Sequence, residues 1–282
     1  MENIDINFDQ TVSASTANMI AAGAILVLSV LIVLIIVTIK RWHGRFIPMM
    51  LGLLGYVVFG FMFSQMFMSI IRLAPNIDQT FTYNTTSYIV IYNIVLAAGF
   101  GIARWFAAKL MVGRFDREGD VILAGTGLAI GDAVVMYGLS ILSFYVYAQA
   151  ISSRGLEQAI QDMLSSGISA DNIMTEYTSN ISQLFSSPDV LWVLMGLSAV
   201  LDILLNVLLF MVVYGVMKKQ VNYMYAYYAI IVQFASNILF QLYNAFSLTS
   251  ILTLFGVKFI VVIGASLYIK QFILKEITYS ND

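Results

Sequence analysis

The chain has 282 residues, 60% of them hydrophobic and only 11% charged, with a net charge of −2. A soluble domain carries about 25% charged residues, so this composition cannot cover a water-facing surface and most of the outside must face lipid. The near-neutral charge argues against nucleic acid as a partner, since phosphate binding needs a basic field, and the absence of cysteine removes disulfides, thiol catalysis and zinc–thiolate sites.

The leading segment, Met1 to Asn18, carries Glu2, Asp5 and Asp9 and no basic residue. A secretory signal needs a positively charged start, so the first apolar stretch is expected to remain as a membrane helix. A spanning helix takes about 20 mostly apolar residues because the hydrocarbon is about 30 Å thick. Seven stretches meet that length: 18–40, 47–71, 87–110, 121–148, 189–217, 222–243 and 247–270, the sixth being the most polar. Lys40, Arg41 and Arg45 follow the first stretch, and Arg104, Lys109, Arg114 and Arg117 lie at or beyond the end of the third. Lys218 and Lys219 follow the fifth, and Lys270 and Lys275 the seventh. These eleven basic residues stand against Arg72 and Arg154 on the other side. The asymmetry predicts that the eleven are cytoplasmic. The expected fold is an all-α polytopic transmembrane bundle, one integral membrane domain over 1–282 with about seven spans, N-terminus outside and C-terminus inside.

Pro48, Pro75 and Pro188 all fall at predicted helix boundaries, where a missing N–H costs little. Ser187-Pro188-Asp189 reads as an N-cap with proline at the first helical position. Gly127-x-x-x-Gly131 in the fourth span forms a small-residue stripe that lets a neighbouring backbone approach closely, and packing accounts for it. The external loop at 149–188 has apolar residues at helical spacing: Leu156, Ile160 and Leu164, then Ile173, Tyr177, Ile181 and Leu184. Two short amphipathic helices on the membrane face are expected, separated near Ser165-Ser166-Gly167. Asn84-Thr85-Thr86 and Asn180-Ile181-Ser182 match the glycosylation sequon, a short pattern that arises often by chance.

The informative residues are the ionisable ones within the spans. Asp132 lies about 16 Å from the cytoplasmic start of the fourth span and Asp202 about 20 Å from the outer start of the fifth, at about 1.5 Å per residue. Lys258 falls near the centre of the seventh. Arg104 sits in the cytoplasmic third of the third, from where it can snorkel to the headgroups. A charge at mid-bilayer costs about 2.5–3.5 kcal/mol on insertion scales, so two acids and two bases suggest mutual neutralisation in a shared interior. Gln233, Asn237, Gln241 and Asn244 share one face of the sixth span, Asn206 lies one turn beyond Asp202, and Tyr137 and Ser140 flank Asp132 on its helix. An amide face in lipid would leave donors and acceptors unpaired. A polar cavity formed by Arg104, Asn206, Gln233, Asn237, Gln241 and Lys258, with the two acids, is the expectation. The bland alternative is polar glue, a buried ion pair and an amide ladder that fix helix register.

Two runs carry a family resemblance: Ala103-Arg104-Trp105-Phe106-Ala107-Ala108-Lys109, and Gly125-Thr126-Gly127-Leu128-Ala129-Ile130-Gly131-Asp132-Ala133. With Asp202-Ile203-Leu204-Leu205-Asn206 up to Tyr214-Gly215-Val216, and with Gln233 to Asn237, they make residues 90–245 resemble the YhfC family of intramembrane peptidases. The resemblance implies about seven helices and a glutamate-dependent or metal-dependent hydrolytic site. The departures are specific. Phe100-Gly101 stand where the family has a Glu-Glu pair, Leu128 and Asp132 replace its His and Glu in the fourth span, Asp202 and Gln233 replace its histidines, and Asn237 its later acid. If that chemistry needs Glu to activate water and His to bind metal or an oxyanion, this chain lacks it.

Three functions compete on these grounds. The first is a non-catalytic relative that binds a membrane helix, a lipid or a partner protein in the polar interior. The second is a working aspartyl peptidase in which Asp132 and Asp202 share a proton and activate water. The third is a small-solute or proton-coupled transporter using Asp132, Asp202 and Lys258. The single histidine, His43, builds no metal centre, and no phosphate-cradling glycine loop or nucleophile elbow occurs. No metal and no cofactor is therefore expected, and the partners are the lipid bilayer and a membrane protein or peptide. The expected location is a plasma membrane, bacterial and crossed several times.

Overall fold

A computed structural model describes residues 7–73, 86–241 and 248–280, all of whose regular elements are helical. In chain order these are α1 (Ala14–Trp42), α2 (Phe46–Gly55), a π-helical stretch Tyr56–Met62, α3 (Phe63–Arg72), α4 (Thr86–Met111) and α5 (Glu118–Asp132). A second π-helical stretch, Ala133–Gly138, leads into α6 (Leu139–Arg154), and α7 (Leu156–Ser165), α8 (Ala170–Glu176) and α9 (Ser182–Ser186) follow. Then come α10 (Val190–Met217), α11 (Met224–Gln241) and α12 (Leu248–Tyr268), the last continued by a π-helical stretch Ile269–Ile273 and a 3-10 turn Leu274–Glu276.

Among the described residues six segments are long and apolar enough to cross a membrane: Ala14–Trp42, Phe46–Ile71, Ser87–Met111, Glu118–Arg154, Val190–Met217 and Leu252–Glu276. Their outer faces carry large exposed apolar side chains, among them Ile25, Leu28, Ile32 and Val33 on α1 and Leu139, Leu142 and Val146 on α6. Continuous apolar surface of this kind is tolerated only against lipid or a partner. The chain is a multi-pass membrane protein. The sixth expected span is a shorter apolar helix: its 18 residues in α11 rise about 27 Å, close to the hydrocarbon thickness. The start of α10 also departs from expectation. Leu191 N–H donates to the Pro188 carbonyl (2.9 Å), so the proline precedes the helix, whose first residue is Val190.

The chain divides into two compact units. One comprises residues 1–28 and 135–197. In it the backbones of α1 and α10 meet at Gly23 and Gly196, where a Cβ on either would collide with the other helix's backbone. Trp192 is fully buried with its ring 4.8 Å from that of Phe144. Asp189 binds the hydroxyls of Ser15 and Thr16, tying the start of α10 to the start of α1. The loop forms α7 and then α8 to α9, with Gly167 at φ +86° between them, a conformation glycine adopts without strain. In α7 to α9 Leu156, Ala159, Ile160, Ile173, Ile181 and Leu184 are buried, the periodicity of amphipathic helices, while Leu164 and Tyr177, expected on the same faces, are only half-buried. Tyr137 belongs to this unit, its hydroxyl close to Gly23. The sequon at Asn84 lies outside the described residues.

The other unit comprises residues 29–134 and 198–282. Its tightest contact is α2 on α5, where Gly52 faces the Ala124 carbonyl and Gly127 faces the Met49 carbonyl. The Gly127 stripe is therefore a packing seam, with Gly131 lying flat against the ring of Tyr56. At one end of this unit the connection into α2 is pinned to α5: the Arg45 backbone N–H and guanidinium both donate to Asp120, which has no exposed surface. That bonding holds the Arg45 guanidinium above its ordinary pKa. Asp116 accepts from the Tyr214 hydroxyl and sits 3.7 Å from the Lys218 ammonium, while Ser280 N–H donates to the Asp116 carbonyl (2.9 Å). The C-terminal segment is thereby fastened to the loop between α4 and α5.

Candidate functional site

The polar residues of the second unit come from five helices: α4, α5, α10, α11 and α12. Each is placed by the apolar residues around it. Arg104 follows Phe100 by one turn of α4, both are completely buried, and the guanidinium carbon lies 5.2 Å from the Phe100 ring centroid. Phe100 in turn packs on Tyr56, with ring centroids 5.4 Å apart. The aromatic pair closes off one side of the arginine and directs its head toward α10 and α11.

There the guanidinium donates from Nη2 to two side-chain carbonyls, Asn206 Oδ1 (2.5 Å) and Gln233 Oε1. Asn206 uses its other end to donate from Nδ2 to Asp132 Oδ2 (3.1 Å), and Gln233 donates from Nε2 to Asn237 Oδ1 (2.9 Å). A single chain of hydrogen bonds thus runs Asp132–Asn206–Arg104–Gln233–Asn237 across four helices. The headgroup-seeking conformation open to Arg104 from the sequence is not adopted. Two carbonyl acceptors, and an acid one residue further along the chain of bonds, hold it inside.

One turn earlier on α10 lies a second cluster. Lys258, 1% exposed at its side chain, donates from Nζ to Asp202 Oδ2 (2.7 Å) and to Ser198 Oγ (2.6 Å). Ser236 of α11 donates its hydroxyl to the other carboxylate oxygen, Asp202 Oδ1 (3.0 Å). An ionised carboxylate accepts only, so a lysine and a hydroxyl are suitable partners. Neutralisation of the four charges is therefore unequal: Lys258 meets Asp202 directly, while Arg104 reaches Asp132 only through Asn206.

The structure brings together Arg104, Asp132, Asp202, Asn206, Gln233, Asn237 and Lys258. The side chain of Gln241 lies outside the described residues, as does Asn244. No hydrogen bond joins the carboxyls of Asp132 and Asp202, each being engaged by a different helix. Ser198 and Ser236 were missed in the sequence. Both were discoverable: Ser198, Asp202 and Asn206 stand at i, i+4 and i+8 of α10, and Ser236 adjoins Asn237 on α11. Serines are so common in membrane helices, bonded to their own backbone, that spacing alone does not single them out.

Two nitrogens remain. Arg104 Nε and Nη1 are buried and have no hydrogen-bond partner among the described residues. Three of its five N–H donors are thus unfilled in a fully buried cation, a costly arrangement unless something else supplies acceptors. Among the described residues no group of three or more His, Asp or Glu side chains is assembled to hold a metal ion. The arrangement is a donor-rich, guanidinium-centred polar cluster with its two acids occupied. No family model matches the chain, and no curated protein and no solved structure is significantly similar to it.

Proposed function

We propose that this protein is a non-catalytic relative of the YhfC-type intramembrane peptidases that holds a membrane-embedded partner on Arg104 in its polar interior. The observation that carries this reading is the buried guanidinium with Nε and Nη1 unpaired beside a set of amides. A partner helix or peptide with exposed carbonyl oxygens, or a lipid ester or phosphate, offers the acceptors that the protein itself leaves out. Hydrolysis is the weaker reading, because a dyad needs two carboxyls sharing a proton, and here Asp202 is held by Lys258 and Ser236 and Asp132 by Asn206. The protein sits in a bacterial plasma membrane with its N-terminus outside and its basic ends in the cytoplasm, α11 completing a seventh crossing.

The test is retention and cleavage of labelled transmembrane peptides by the purified full-length protein in nanodiscs. Binding without product is expected, and Arg104→Gln is expected to weaken it about tenfold to a hundredfold, since a hydrogen bond to a charged group contributes about 1.5–3 kcal/mol. Peptide cleavage that stops on Asp132→Ala or Asp202→Ala would overturn the reading in favour of a peptidase.

A further inference from the structure

We infer that the second unit carries a separate site for one anionic phospholipid, in an apolar groove between α4, α10 and α11 beyond whose Trp105 and Met217 end stand Lys109 and Lys219. The groove has a volume of about 320 Å³ and its floor is made by small residues, Ala98 and Gly101 of α4 and Ala226 of α11. A Cβ on Gly101 would stand 2.7 Å from the Ile230 side chain, so the glycine lets α4 and α11 pack closely along the groove. From Ala98 to Trp105 it runs about 10 Å along α4, room for a length of acyl chain. None of its lining residues belongs to the Arg104 or Lys258 clusters. Within a bilayer such an apolar trough is filled by a lipid tail, because an empty one forfeits dispersion contacts on both sides.

What commits the site to a headgroup is its end. Trp105, 47% exposed, lines the groove, and the Lys109 ammonium lies 4.8 Å from its ring centroid. Tyr227 lines the opposite wall, 59% exposed and edge-on to the exposed Tyr223. Tryptophan and tyrosine at this position are the pattern of a membrane–water interface. Met217, at the end of α10, also lines the groove, and Lys219 follows two residues later. Lys218 is already spent on the Thr278 carbonyl (3.1 Å) and Asp116. The ammonium groups of Lys109 and Lys219, both exposed, form no hydrogen bond or ion pair with any described residue. Two cations without a carboxylate partner among the described residues, at the interfacial end of a tail-shaped trough, complement a phosphate ester that carries a net negative charge.

The experiment compares phosphatidylglycerol with phosphatidylcholine of identical acyl chains, counted per chain by native mass spectrometry of the full-length protein. One phosphatidylglycerol is expected to be retained, with a preference of about tenfold to thirtyfold over phosphatidylcholine, as about 1 kcal/mol per lysine implies. Lys109→Gln with Lys219→Gln is expected to erase the preference while the variant stays folded, both lysines being exposed. Ala98→Leu with Ala226→Leu, which fills the trough, is expected to lower retention of both lipids. Equal retention of the two lipids by the unmodified chain, an undiminished preference in the lysine variant, or competition by inorganic phosphate alone would each overturn the assignment.

Discussion

Lys258→Met is expected to destabilise the protein by about 3 kcal/mol, and Lys258→Met combined with Asp202→Leu to recover most of that loss. The lysine is the only cation in contact with Asp202 among the described residues, and it is 1% exposed at its side chain. Removing it strands a carboxylate whose remaining partner is the Ser236 hydroxyl. Breaking a buried pair by taking one partner costs about 3–5 kcal/mol, whereas replacing both by apolar groups of similar volume is often neutral. The competing expectation comes from ordinary cross-helix hydrogen bonds in membranes, which average about 0.6 kcal/mol. The larger value applies here because a formal charge is left behind, and the lower end of the range applies because Asp202 keeps 20% of its side-chain surface exposed. Reversible unfolding in detergent micelles or bicelles measures both variants. A single variant no less stable than the double would remove the ion pair as the source of stability.

Gly127→Val is expected to have an effect as large, about 3 kcal/mol or outright failure to fold, through backbone geometry alone. A Cβ at Gly127 would run into the Met49 carbonyl, and one at Gly52 into the Ala124 carbonyl, so the two helices meet at a doubly unforgiving place. Overpacking ordinarily costs about 1–3 kcal/mol. The upper end is expected where the obstacle is main chain, which cannot swing aside as a side chain does. Gly264→Ala on α12 is the control. Nothing lies within 4 Å of a Cβ there, so the substitution is expected to change stability by less than about 0.5 kcal/mol. Thermal unfolding and gel filtration compare the two. A Gly127→Val protein that elutes and melts like the parent would mean that α2 and α5 do not pack at this distance.

Arg104 shows how far sequence reasoning reaches. Its presence within a span was visible, and so was the amide face of α11 opposite it, because hydrophobicity and the 3.6-residue period are properties of a single helix. The same period grouped Asp202 with Asn206, and it marked Gly127 and Gly131 as a small-residue seam. Composition alone made most of the outer surface lipid-facing, and of the seven apolar stretches legible in the sequence six are helices long and apolar enough to cross a membrane among the described residues, the other being the shorter α11. Even the two helices of the 149–188 loop were written in the spacing of their apolar residues.

The partnerships were not. Lys258 had two acids within reach on paper, and nothing in the spacing distinguished Asp202 from Asp132. Asn206, one turn from Asp202, turned out to serve Arg104 and Asp132, while the neutral Ser198 and Ser236 completed the lysine's cluster. A sequence determines which residues share a face of one helix. The rotation and height of that helix against its neighbours are decided by packing, here by the meeting of Gly52 and Gly127 with facing carbonyls and by the Tyr56–Phe100 wedge. Those few ångströms choose which donor meets which acceptor, and only the tertiary structure contains them.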